Sequence, residues 1–250
     1  MSSVARASTA YGSAASVDEN RKFAVRMAAA MLAVNVVGFV PTLYFRPFFD
    51  VPTIPFYLYA HGVVGTAWFV LVLAQALLID NRLLRTHRAL GWLGVCLAAI
   101  VLALGVYTST NMVPRHSALG AVSEADVRLY GFVTSGDLAG FINFPTFIAL
   151  ALAFRRRSMD VHMRLMLLAT LSILGPAVSR IASWFGEIPN PIIPVVMLGF
   201  VAFLAIHDLR SRGRLHPATV LGVLFMVAVS LGVRLSGIAS AIVAHRLGHV

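Results

Sequence analysis

The residues that could do chemistry in this chain fall into two sets. The first is His87, His162 and His216, each standing just after a short arginine-rich turn where a new apolar run begins, with Asp208 near the end of another such run. Three imidazoles and a carboxylate are a plausible ligand set for a catalytic zinc with an open position for water. A plainer reading is available. Pro217 after His216 suits the first position of a helix, where no backbone N–H is needed, and histidines at a membrane surface simply meet lipid headgroups. No tight signature of the H-E-x-x-H kind is present, so both readings stand.

The second set is His61, Tyr107, Asn111, Asp137, Arg180, Trp184 and Arg234. His61, Asp137, Arg180 and Arg234 lie inside apolar runs, roughly 6 to 15 Å from the run ends at about 1.5 Å per residue. Charges at such depth cost several kcal/mol unless paired or hydrated, so they turn toward the inside of a bundle. Asp137 is expected to pair with Arg234 or Arg180. Two arginines against one aspartate leave a positive charge that favours an anionic headgroup or carboxylate. Beside Asp137, His61 becomes a candidate proton carrier. The competing reading is an internal salt bridge that fixes helix register.

The elements that must position these residues follow from composition. Of 250 residues, 59% are hydrophobic and 12% charged, against about 25% charged in soluble domains, and the mean hydropathy is +0.84. This predicts an all-α, polytopic membrane bundle in contact with the lipid bilayer. Membrane-crossing helices need roughly 20 apolar residues, and seven windows qualify, over residues 23–45, 57–79, 89–110, 129–154, 163–185, 191–207 and 218–243. The fourth, carrying Asp137, Asn143 and Pro145, is expected to kink. Residues 1–22 read as a disordered polar tail before a single transmembrane domain, 23–245. Gln75 and Asn35, uncharged polar residues within spans, read as interhelical hydrogen-bonding groups.

Arg6, Arg21, Lys22 and Arg26, the turns at 82–88 and 155–164, and Arg210, Arg212 and Arg214 hold fourteen of the twenty basic side chains on one side. Cytoplasmic loops are enriched in such residues, which places the N-terminus inside and the C-terminus outside. The net charge of +10 is therefore a topology signal, with no nucleic-acid partner expected. Cys96 stands alone, so neither an internal disulfide nor a cysteine metal cluster can form. The recurrence of the basic turn suggests three helical hairpins, made of spans 2 and 3, 4 and 5, and 6 and 7.

HGVVGTAW (61–68), THRALGW (86–92), SGDLAGF (135–141), DVHMRLMLLAT (160–170) and HDLRSRGRLHPAT (207–219) together resemble a widespread group of uncharacterised bacterial seven-helix membrane proteins. The resemblance covers about residues 40–245. It implies the fold and a bacterial inner membrane, and it brings no reaction with it.

Three function classes remain from the sequence. One is a protein with an interior polar site for a small anionic or lipid-like ligand or a cofactor. Another is a membrane enzyme, either a metal-dependent hydrolase using zinc or a b-type haem redox protein whose bis-histidine ligation needs two facing imidazoles, such as His61 with His116 or His87 with His162. The third is an accessory subunit of an oligomer or larger membrane complex. A retinal photoreceptor is excluded, since Lys22 is the sole lysine.

Overall fold

The structure, a computed structural model, describes residues 3–51, 53–118, 120 and 122–247, with side chains described from Asp18 onward. Among these residues every regular element is helical: α1 (Ser3–Phe39), α2 (Phe56–Asp80), α3 (Leu84–Thr110), α4 (Met112–Ser117), α5 (Glu124–Phe154), α6 (Met159–Ser172), α7 (Gly175–Ala182), α8 (Ile192–Arg212), α9 (Pro217–Leu235) and α10 (Ile238–Arg246). Six helices are long and apolar enough to cross a membrane. The bent pair α6–α7 makes a seventh if it counts as one span. The expected tail, 1–22, falls mostly on residues whose side chains lie outside those described, though contacts to the bundle are already made at Asn20.

Two expected spans are broken. The fifth bends by 44° between α6 and α7, where Pro176 supplies no backbone N–H to the preceding turn. The seventh stops at Leu235, because Gly237 adopts φ 70° and α10 sets off anew from it. In contrast, α5 runs unbroken through Pro145. Its start is fixed by a capping box: the Ser123 hydroxyl accepts from the Asp126 N–H at 3.2 Å, while the Asp126 carboxylate accepts from the Ser123 N–H at 2.9 Å.

The centre of the bundle is α6. Leu165, Leu167, Leu168, Ala169, Thr170 and Leu171 are all buried, the all-round burial expected of a helix enclosed by others. Around it pack α1, α5 and α9, with Trp68 of α2 donating to the Thr170 hydroxyl at 3.3 Å. Phe144, Phe147, Met27 and Met31 complete the interior. The flanks of α3, α8 and α9 present Trp92, Val195, Leu198, Leu221 and Leu224 outward, which suits hydrocarbon surroundings.

Of the three expected hairpins, α2–α3 and α5–α6 pack closely along their length. The third does not: α8 touches α9 little and lies on α7 and α1, whereas α9 lies on α5 and α6. Gly222 is the reason α9 sits so near α6. A Cβ there would run into the Leu168 side chain. Gly38 plays the same part between α1 and α7, where a Cβ would collide with the Ala177 carbonyl.

Candidate functional site

The second set of polar residues is spread over α2, α3 and its C-terminal cap, α5, α7, the turn Ser183–Phe185 and α9. Asp137 stands on α5, half-buried, with the Ser109 hydroxyl of α3 as its hydrogen-bonding neighbour and Arg180 of α7 as the nearest opposing charge. His61, on α2, sits in the field of the same guanidinium. Its ring lies over Gly105 of α3 and beside Phe141 of α5; a Cβ at Gly105 would be 3.8 Å from the His61 Cε1 and 3.2 Å from the Phe141 ring. Glycine at that position leaves the imidazole its room.

Arg180 reaches this point because α7 is tilted away from α6 at the break. One of its terminal nitrogens donates to the Pro176 carbonyl at 3.0 Å, and its guanidinium covers the Phe39 ring at 4.4 Å. Both contacts hold the arginine in place and leave donors over. Among the described residues Asp137 and Arg180 do not approach within the 4.0 Å of an ion pair. The His61 Nδ1 is buried with no hydrogen-bond partner.

Arg234 does not join them. It is exposed on α9 and stacks over Phe132 at 5.3 Å, so the expected Asp137–Arg234 pair is not formed. α9 turns that face outward, and the arginine finds an aromatic ring in place of a carboxylate. Asn111 is occupied with its own backbone, donating to the Tyr107 carbonyl at 2.8 Å and closing α3. Tyr107 meets Tyr57 edge-on at 5.1 Å and is half exposed, as is Trp184 on the turn Ser183–Phe185. The residues brought together are His61, Asp137 and Arg180, with Ser109, which the sequence reading had passed over.

At the opposite end the structure puts the candidate metal residues to other uses. Asp208 is fully buried and paired with Arg164, itself fully buried; Arg164 Nε donates at 2.9 Å and a terminal nitrogen closes on the same oxygen. The other carboxylate oxygen accepts from the Thr219 hydroxyl at 2.6 Å and the His216 N–H at 3.0 Å. His216 Nδ1 accepts from the Ala218 N–H at 3.0 Å, capping α9. Burial, then the charges of Arg164 and Arg212, hold this imidazole below its ordinary range.

His87 and His162 lie on α3 and α6, and among the described residues no group of three or more His, Cys, Asp or Glu side chains is arranged to hold a metal ion. The proposed zinc set therefore does not fit: Asp208 has both oxygens committed, and the His216 ring caps a helix. Nor does haem b fit between His61 and His116, because both ring nitrogens of His116 are engaged, with the Met112 carbonyl at 3.0 Å and with Arg115 at 3.2 Å.

The pair Arg164–Asp208 belongs to a larger lattice that spans four helices. Asp160 accepts from Arg212 at 2.8 Å and from Asn20 at 3.1 Å, and Asn20 meets His207 at 2.7 Å. Phe23 stacks on the His207 ring at 3.9 Å. Arg164 had been counted with the topology arginines. The signal that could have singled it out is its place inside VHMRLMLLA, an arginine already within an apolar run.

No family model, curated protein or solved structure matches this chain.

Proposed function

We propose that this is a multi-pass membrane protein whose interior site, formed by His61, Asp137, Arg180 and Ser109, binds a small molecule carrying an anionic group. The reading places the N-terminus and the arginine-rich turns on the cytoplasmic side of a bacterial inner membrane, in keeping with the distribution of basic residues and the resemblance described above. One observation carries it: a buried imidazole nitrogen of His61 without a partner lies in the field of Arg180, the same guanidinium that is the opposing charge for Asp137, and Asp137 and Arg180 do not close into an ion pair. A register-fixing salt bridge would have closed that distance.

In this arrangement Arg180, pinned by Pro176 and Phe39, presents its remaining donors to a carboxylate or phosphate. His61 donates or accepts one further hydrogen bond, and Asp137 with Ser109 takes a donor on the ligand or holds a proton. Mass spectrometry of small molecules released from freshly purified protein tests this. An anionic species near one per chain is expected from the wild type, with at least a tenfold loss in Arg180→Gln at unchanged thermal stability. Absence from the wild type, or equal retention in the variant, overturns the reading.

A further inference from the structure

The link between α1 and α2 is fastened to the side of α2. After α1 the chain makes a π-helical turn, Val40–Tyr44, and a short turn, Arg46–Phe48, before α2 begins at Phe56. Leu43 is buried against Gly62 of α2, where a Cβ would come within 2.9 Å of the Leu43 Cδ2. The Thr66 hydroxyl donates to the Gly62 carbonyl at 2.8 Å and so accepts from the Tyr44 hydroxyl, 2.6 Å away. Gly62 and Thr66 stand about 9 and about 15 Å along α2 from Phe56. The π turn therefore lies beside the second turn of a candidate membrane span, and the residues after it climb back along that span to reach Phe56.

The depth of this strap follows from lengths. The 25 residues of α2 span about 37 Å, several ångströms more than a hydrocarbon core of about 30 Å, so the first turns of α2 stand in the headgroup layer. The strap, residues 45–56, is at that level. Its backbone suits a place poor in water. Pro47, Pro52 and Pro55 carry no N–H, while Phe45, Phe48, Phe49 and Val51 donate theirs to the carbonyls of Val40, Phe45, Arg46 and Phe49 at 2.9 to 3.0 Å. Its side chains suit the same place. Phe48 and Phe56 are 81% and 83% exposed, and Phe45 and Phe49 about half. The charged residues of the strap are Arg46, which donates to the Thr42 carbonyl at 2.8 Å, and Asp50, so its net charge is zero.

We infer that residues 45–56 lie flat on the lipid surface on the side away from the arginine-rich turns, with Phe45, Phe48, Phe49 and Phe56 dipping among the upper parts of the acyl chains. Apolar side chains inserted to a depth of about 5–10 Å are how in-plane segments hold to a bilayer. The strap continues two candidate membrane spans without a break, so lipid already surrounds both of its ends. The inference does not depend on the His61–Asp137–Arg180 site.

The test is spin labelling of the full chain in nanodiscs of phosphatidylcholine and phosphatidylglycerol, reading the accessibility of each label to oxygen, which concentrates in lipid, against a nickel chelate, which stays in water. A label on the native Cys96, exposed midway along α3, gives the hydrocarbon reference. Asn81→Cys with Cys96→Ala, in the exposed turn between α2 and α3, gives the aqueous one. Phe48→Cys and Phe56→Cys, each with Cys96→Ala, change side chains that lie on the surface, and thermal melts of the labelled samples should show the fold retained. At both positions the oxygen-to-chelate ratio is expected to stand roughly tenfold above that at position 81 and below that at Cys96. A ratio equal to the one at position 81 would put the strap in water and overturn the inference. Labels shielded from both reagents would mean that protein, a second copy of this chain included, covers the strap in place of lipid, and would overturn it equally.

Discussion

Arg164 and Asp208 face each other at one end of the bundle with no exposure to the surroundings, and every oxygen of the aspartate is spoken for. The pair ties α6 to α8, and through Thr219 and the His216 N–H it ties both to α9. Since α8 and α9 barely touch each other directly, this carboxylate does for the third basic turn what side-chain packing does for the other two.

Removing one partner of a buried pair leaves an uncompensated charge, which costs about 3–5 kcal/mol, whereas replacing both by apolar residues of similar size is often neutral. Asp208→Ala should therefore lower thermal stability in detergent sharply. The double variant Arg164→Met with Asp208→Leu should recover most of the loss. A double variant as unstable as the single one would show that the Thr219 and His216 contacts, and not the charge balance, hold this end together.

His216 makes the same junction sensitive to acid. Its Nδ1 must stay unprotonated to accept from the Ala218 N–H, and burial with two nearby arginines resists protonation in the folded chain. Unfolded, the ring takes a proton near pH 6.5, so the unfolded state binds more protons below that value and stability falls as pH drops through it. Melting temperatures from pH 8 to pH 5 should show the decline. His216→Asn, which keeps a capping acceptor that does not titrate, should make it shallower, the remainder coming from His207, which is also buried.

The two close helix approaches should respond unequally to an added methyl group. In Gly38→Ala the new carbon meets a backbone carbonyl that cannot move aside, at a cost of about 1–3 kcal/mol. In Gly222→Ala it meets the far end of Leu168, which can change rotamer. A larger loss of melting temperature for Gly38→Ala is expected; the reverse order would mean that α6 packing is tighter than the α1–α7 contact.

Arg180 and Arg234 provide an internal comparison for the His61–Asp137–Arg180 site. Both are arginines over phenylalanine rings, but only Arg180 shares space with Asp137 and His61. Arg234→Ala should leave bound ligand and melting temperature within error of wild type, while Arg180→Ala loses ligand at least tenfold. Equal effects from the two would place the binding site elsewhere.

The spans were legible because each follows from a local sum. About twenty apolar side chains in a row prefer hydrocarbon whatever surrounds them, and the bounds of α2 and α3 fall within a few residues of those expected. The breaks at Pro176 and Gly237 were less visible. Proline and glycine occur freely in membrane helices, so neither residue announces an interruption by itself.

The chain's own order of residues was enough to determine an all-helical bundle of long apolar spans, the basic turns, and that His61, Asp137, Arg180 and Arg234, set within apolar runs, needed partners, but not that all would turn inward, since Arg234 is exposed. Which company they found was decided only by the fold. A change of one residue turns a helix face by 100°, and the tilt of α7, the outward face of α9 and the closeness permitted by Gly222 are properties of several helices at once. That is why Arg234 lies on Phe132, and Asp208, with its metal-ligand look, belongs to Arg164.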